Sequence, residues 1–399
     1  MLKQPSRTAS VIQASTTLAI DSKFKKMKAE GYDVVGFAAG EPDFNTPDNI
    51  KNAAHKAIDD NFTRYTPAAG MLELQKAVCN RLNNDLGIDY IPDEVVVSSG
   101  AKYSVFLSLE CLTDPGDEVI IIAPYWVSYY EMVRMVNSIP VIVHTKESDS
   151  FKASAEMIRA AITPRTKAIV INNPSNPTGM LYSKEDLRLI LEVCYEEGIY
   201  VIADEIYYKL CYDGREFVSM GAIDKKYRDM VVLINGVSKS YAMTGWRIGY
   251  SLSGKNIASM IANFQSHSTS APSTISQMAS IEALCGSQDG ISYMKSEFEK
   301  RRNYMVPRLN SIEGISCIMP EGAFYVMMNI SELIGKSHGD AVIKNDDDFA
   351  QLFLEKGLVS LVPCSGFGIK NYVRWSYAAS MESIGIGLDR LEKFISELR

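Results

Sequence analysis

Residues 200–207 read Tyr-Val-Ile-Ala-Asp-Glu-Ile-Tyr, and residues 231–239 read Val-Val-Leu-Ile-Asn-Gly-Val-Ser-Lys. Each is a short run of β-prone apolar residues that closes on polar groups: Asp204 and Tyr207 in the first, Ser238 and Lys239 in the second. Neither run alternates apolar with polar, which is the pattern of strands covered on both faces, as in a parallel sheet. Further runs of this kind occur at Glu94–Val97, Glu118–Ala123, Val141–His144, Ala168–Asn172 and Ile248–Leu252. Helical patterns lie between several of them, at Lys102–Leu112, Val127–Val136 and Ser183–Glu197. The last opens on Ser183-Lys-Glu-Asp186, which resembles a capping box. Alternating strands and helices over residues 90–255 predict an α/β fold, a mostly parallel sheet wrapped by helices.

Beyond residue 277 the pattern changes. A long helical stretch, Gln277–Leu309 with Pro307 near its end, leads to strand-like Ile315–Met319 and Phe324–Ile330. A helix at about Asp348–Lys356 follows, then strands near Val359–Val362 and Tyr372–Tyr377 and a terminal helix from Ile384. This predicts a smaller α+β domain. The expected division is an N-terminal arm at 1–45 packing with the small domain, a large domain at 46–285 and a small C-terminal domain at 286–399. A chain of 399 residues accommodates two domains of ordinary size.

Lys and Arg total 41 against 48 Asp and Glu, a net charge of −7, so no general attraction to nucleic acid or anionic membrane is expected. Apolar runs such as Val119–Ala123 are far shorter than the roughly 20 residues a membrane-spanning helix needs. The seven cysteines are scattered and never spaced C-x-x-C, and the four histidines lie far apart. Neither a disulfide framework nor a metal centre is expected, and a reducing, cytoplasmic setting fits. Met1–Ile20 lacks the apolar core of a secretory signal, although its Ser/Thr content and lack of acids give it some likeness to an organellar presequence.

No G-x-G-x-x-G follows the first strand and no phosphate-loop motif is present, so dinucleotide and P-loop readings lose their support. In open α/β sheets ligands bind beyond the carboxyl ends of the strands, and several polar residues fall there. Gly100-Ala-Lys102 opens a helix whose backbone N–H groups suit an anion, or is an ordinary strand–helix turn. Asp204 ends an apolar strand and needs a partner such as a cationic ring nitrogen, or it caps the next helix. Lys239, beside an apolar strand and near Arg247, can lose its proton and attack a carbonyl. Arg247 itself suits a phosphate. Asn173-Pro-Ser-Asn176-Pro-Thr-Gly179 is an irregular loop presenting amides, and Trp126 brings an indole to the same sheet edge or packs in a core. Arg374 lies in a strand-like segment and could equally be a structural salt-bridged arginine. Their conjunction matches a cofactor with an aldehyde, a ring nitrogen, a phenolic oxygen and a phosphate, which is pyridoxal 5′-phosphate.

These residues, with Gly40-Glu-Pro-Asp-Phe44, Arg64-Tyr-Thr-Pro-Ala-Ala-Gly70, Met243-Thr-Gly-Trp-Arg247 and Gly322-Ala-Phe-Tyr325, make the chain resemble the class I, fold-type I aminotransferases of the aspartate aminotransferase family. The likeness runs from about Ser6 to the C-terminus, leaving little room for a presequence. It implies that Lys239 forms a Schiff base with pyridoxal phosphate and moves a proton, while Asp204 holds the pyridine nitrogen protonated. Tyr207 and Asn176 would donate to the ring's 3′ oxygen, and Trp126 would stack on the ring. The phosphate would rest on Gly100, Ala101, Lys102, Ser238 and Arg247, with the partner subunit's Tyr65 completing the site in a homodimer. Gly236 stands where some relatives have a serine, which implies one phosphate hydroxyl fewer.

For the substrate, the resemblance implies that Arg374 clamps the α-carboxylate, with Gly40, Trp126 and Asn176 lining the same spot. Lys102 and Thr17 would read an acidic side chain. The expected reaction is L-aspartate plus 2-oxoglutarate giving oxaloacetate and L-glutamate. The alternatives are another specificity (aromatic, prephenate or alanine) and a lyase or synthase of the same fold. A transcription regulator built on this fold would need a DNA-binding domain ahead of it, and only about 45 residues precede the large domain.

Overall fold

The computed structural model describes residues 3–14 and 16–399. Helices Arg7–Val11 and Thr16–Ala29 and a two-residue strand, β1 (Val35–Gly36), precede the first large helices. The central sheet has seven strands: β2 (Val95–Ser98), β3 (Glu118–Ala123), β4 (Ile139–His144), β5 (Thr166–Asn172), β6 (Tyr200–Asp204), β7 (Val231–Gly236) and β8 (Gly249–Leu252). Their order is β2-β8-β7-β6-β5-β3-β4. Side chains alternate between two apolar cores. Ile120, Val201 and Leu233 point to one face, and Ile121, Ile202 and Ile234 to the other. Both faces are therefore covered by helices, which is why these strands read as continuous apolar runs.

One strand departs from the parallel pattern. β8 is antiparallel to both β2 and β7. The link from Gly236 to Gly249 contains a single 3-10 turn, Thr244–Trp246, and no crossover helix, so the chain turns straight back.

The C-terminal part surrounds its own core, with Phe298, Phe324, Trp375, Tyr377 and Leu388 at the centre. β9 (Tyr325–Asn329) pairs antiparallel with β14 (Tyr372–Ser376), which pairs with β13 (Val362–Pro363). A small hairpin joins β10 (Ser337–His338) to β11 (Ala341–Val342), and β12 (Val359–Ser360) pairs parallel with β1. The first residues of the chain are thus tied to its last quarter.

Four expectations for this region change. The stretch Gln277–Leu309 is two helices, Thr274–Cys285 and Asp289–Asn310; Gly286 leaves the helical conformation, and the Gln288 amide satisfies the freed carbonyls of Ala283 and Gly286. Ile315–Met319 forms no strand beyond one bridge, Ser316 to Asn329, because the Asn310 side chain takes up the N–H and C=O of Cys317. Val359–Val362 is split, since Ser360 pairs with Gly36 while Val362 pairs with Arg374. The last two helices begin earlier than expected, at Asp346 and Met381, because Asn345 and Ser380 cap them. Among the described residues no helix is long and apolar enough to cross a membrane.

Candidate active site

The carboxyl ends of the parallel strands converge on one cavity of about 270 Å³. β6 delivers Asp204, and the turn after it Tyr207. Ser238 and Lys239 follow β7, and Asn176 follows β5. Trp126, after β3, immediately precedes the Val127–Met135 helix, while Ala101 and Lys102 open the helix after β2. Arg247 precedes β8. From the other body come Arg374 of β14 and Tyr325 of β9, and Gly40 and Thr17 complete the wall.

Lys239 and Asp204 dominate the electrostatics. Burial pushes the Lys239 ammonium down to about 8, helped by the positive fields of Arg247 and Arg374 and opposed by Glu41 and Asp204. In this structure its Nζ donates to the Gly40 carbonyl. Among the described residues no cation contacts buried Asp204, and burial lifts its carboxyl to about 6. Two donors oppose that rise: the Tyr129 hydroxyl at 2.6 Å from Oδ2 and the Ile206 N–H at 3.2 Å from Oδ1. A cation placed against Asp204 would restore its ionised form at neutral pH.

The cavity also has two cationic ends. At one, Gly100 and Gly249 bring backbone together. A Cβ on Gly249 would overlap Ala101 N, and one on Gly100 would overlap the Arg247 guanidinium. Gly100 also has φ +87, which a side chain would strain. The Arg247 guanidinium rests on the Thr244 and Ser99 carbonyls. At the other end Arg374 is 1% exposed and donates to Asn176 Oδ1 at 2.8 Å and the Ala38 carbonyl at 2.9 Å. Its Nε is buried without a partner. Among the described residues no carboxylate lies within ion-pair distance of either arginine. Two unneutralised guanidiniums flanking an amine and an acid form a receptacle for a molecule with two anionic groups.

The sequence profile of the family described as aminotransferase class I and II matches residues 32–391. The chain belongs to this family. It is 44% identical to the aspartate aminotransferase of Geobacillus stearothermophilus over 394 residues, covering 99% of each chain. It is 41% identical to the aspartate/prephenate aminotransferase of Cereibacter sphaeroides, covering 98% and 99%. Among solved structures, the aspartate aminotransferase from Rhizobium meliloti superposes with a TM-score of 0.96 at 40% identity, with both chains fully covered. The Thermus thermophilus enzyme with maleate gives 0.93 at 36% identity, covering 98% of this chain.

In this aminotransferase the cavity gathers every residue singled out from the sequence except two. Gly100 lies just behind the lining, shaping the turn. Tyr65 stands apart, its side chain 98% exposed. Five lining residues were not singled out: Tyr129, Asn172, Ile206, Thr244 and Tyr325. Tyr129 lies one helical turn after Trp126, on the face that meets the sheet, a spacing that could have flagged it. Asn172 holds the following loop by accepting from Asn176 N and donating to the Asp204 carbonyl. Tyr325 sits in the quoted Gly322–Tyr325 segment without any signal of its own.

Proposed function

We propose that this chain is a pyridoxal 5′-phosphate-dependent aminotransferase that converts L-aspartate and 2-oxoglutarate to oxaloacetate and L-glutamate. One observation carries the reading: a buried lysine with a depressed pKa and a buried aspartate share a cavity with two arginines, and among the described residues no cation pairs with that aspartate and no acid with those arginines. The residues fit the cofactor group by group. Lys239 Nζ would hold its aldehyde and Asp204 its ring nitrogen, with Tyr207 and Asn176 facing the phenolic oxygen and Trp126 the ring. The glycine-shaped turn at Gly100–Lys102, with Ser238 and Arg247, would take the phosphate.

When bound, the cofactor supplies an electron sink for the pair left on the substrate Cα. Arg374 holds the α-carboxylate through its free N–H groups. Lys239 Nζ, whose proton burial makes easier to lose, takes the proton from Cα and returns it, work of a kind that contributes about 10²–10⁴-fold. Asp204 stays ionised opposite a ring cation. Lys102 and Thr17 are assigned to the side-chain carboxylate. The aspartate aminotransferase names of the 42–44% identical relatives support this choice. A second reading, in which prephenate is also accepted, is favoured by the Cereibacter relative's name.

We assign the active unit as a homodimer. The loop around Tyr65 is held by Thr274 on Arg64 O and Gln277 on Thr66, yet the ring itself is bare. A cleft of about 770 Å³ that shares Lys102 and Arg247 with the site is the place we give to the partner subunit's Tyr65. Cytoplasmic residence agrees with seven unpaired cysteines. The arm at 1–45 and the division at 285 remain part of this proposal.

Borohydride reduction of the cofactor-loaded protein should fix one label, on the peptide containing Lys239. Lys239→Ala should fold and lose turnover. A label elsewhere, or transamination by Lys239→Ala at the native rate, overturns the assignment. A half-reaction panel of amino donors separates aspartate from prephenate, and formation of pyruvate or ammonia would point to a lyase.

A further inference from the structure

We propose that Tyr325 is a positioning residue that couples the two halves of the site. Its hydroxyl sets the direction in which Tyr207 donates, and its ring holds the plane of Arg374. The inference rests on the proposed cofactor reading. Tyr325 begins β9, is fully buried and lies opposite Ser376 in the register with β14, the strand that carries Arg374.

Three contacts carry the argument. The Tyr325 and Tyr207 hydroxyls lie 2.9 Å apart, and neither has another partner among the described residues. The Arg374 guanidinium carbon stands 4.4 Å from the Tyr325 ring centroid and 5.1 Å from that of Phe367. A Cβ on Gly40 would stand 3.0 Å from the Tyr325 hydroxyl, a tight contact that the glycine avoids.

Between two facing hydroxyls only one proton occupies the shared bond. If Tyr207 donated to Tyr325, its proton would be spent inside the wall. If Tyr325 donates, the Tyr207 proton is free to point into the cavity, where the cofactor's phenolic oxygen is assigned. The guanidinium stacked on the Tyr325 ring favours that phenol as the donor: Arg374 lowers the pKa of both phenols, but it is the leading charge acting on Tyr325 and a lesser one on Tyr207. The same stacking fixes the guanidinium. Two of its five N–H groups are used, on Asn176 and Ala38, and the ring keeps the remaining three in one plane for a carboxylate.

Two readouts separate these roles: the pH at which the bound cofactor changes colour, and the split between KM and kcat. A directed donor to the phenolic oxygen favours its anionic form and lowers the colour-change pH. Tyr325→Phe keeps the ring and loses the hydroxyl, so its colour-change pH should rise by about half to one unit while KM for aspartate moves less than about twofold. Tyr325→Leu loses both, and its KM should also rise roughly fivefold or more, the scale of a cation–π contact. Tyr325→Met carries this arm should the leucine variant fail to fold. Because Tyr325 acts through Tyr207, the double variant Tyr207→Phe/Tyr325→Phe should titrate like Tyr207→Phe alone. The coupling is overturned if Tyr325→Phe titrates with the native protein, if the double variant shows the sum of the two shifts, or if removing the ring leaves KM unchanged. A native protein that takes up no colour with pyridoxal phosphate, or transaminates nothing, would instead sink the proposed function.

Discussion

The Tyr129 hydroxyl donates to Asp204 Oδ2 over 2.6 Å, with both groups buried. Burial drives the Asp204 carboxyl up to about 6, and this bond is the largest influence holding it down. Tyr129→Phe should therefore raise it further and leave Asp204 less ionised at pH 7. Cofactor affinity, measured by reconstituting the apoprotein, should fall roughly tenfold or more at pH 7, the scale of a hydrogen bond to a charged group. The deficit should shrink at pH 9, where Asp204 is ionised in both proteins. Equal affinity at pH 7 would remove Tyr129 from this role.

Glu205, next in the chain, is buried against Ser219 and the Met220 N–H, and burial lifts it to about 8. The folded protein keeps a proton that the unfolded chain releases above about 4.5. The stability this group lends is complete below that pH and lost as pH rises through about 8. Glu205→Gln mimics the protonated acid. Its melting temperature should match the native value near pH 4.5 and exceed it at pH 9. A lower melting temperature at pH 9 would show that the carboxylate stabilises the fold.

Removing the Arg374 clamp should affect all amino donors alike, because the α-carboxylate is common to them. Arg374→Ala should lower kcat/KM by roughly 10²-fold or more for aspartate and for neutral donors. Lys102→Ala should weaken aspartate and spare neutral donors. A loss confined to aspartate in the Arg374 variant would exchange the two assignments.

Gly249→Ala places a methyl group where Ala101 N now sits. Forcing β8 away from the helix start should destabilise the protein by about 1–3 kcal/mol and weaken cofactor retention at the same time. A thermal melt and a dialysis assay read the two effects. Unchanged retention would mean that this turn does not hold the phosphate.

The strand-end residues Asp204, Lys239 and Asn176 were legible because each closes or follows an apolar run, where an α/β sheet presents its ligands, whereas Arg247 precedes β8 and reaches the same edge only because that strand runs antiparallel. The antiparallel course of β8 was not: an apolar run covered on both faces carries no sign of direction, and only the missing crossover helix reveals it. The break at Gly286 was hidden because both flanking helices keep apolar spacing and the Gln288 side chain does the capping from within the stretch. Tyr129 and Tyr325 resembled core aromatics, which they also are. Their polar tips matter only against Asp204 and Tyr207, partners 75 and 118 residues away.

Arg374 hangs from β14 in the C-terminal core, whereas Asn176 and Lys239 belong to the central sheet. Any molecule gripped at once by the arginine and by groups on the sheet acts as a rivet between two bodies. Substrate held there would reinforce the link that the Arg374–Asn176 hydrogen bond already makes between them.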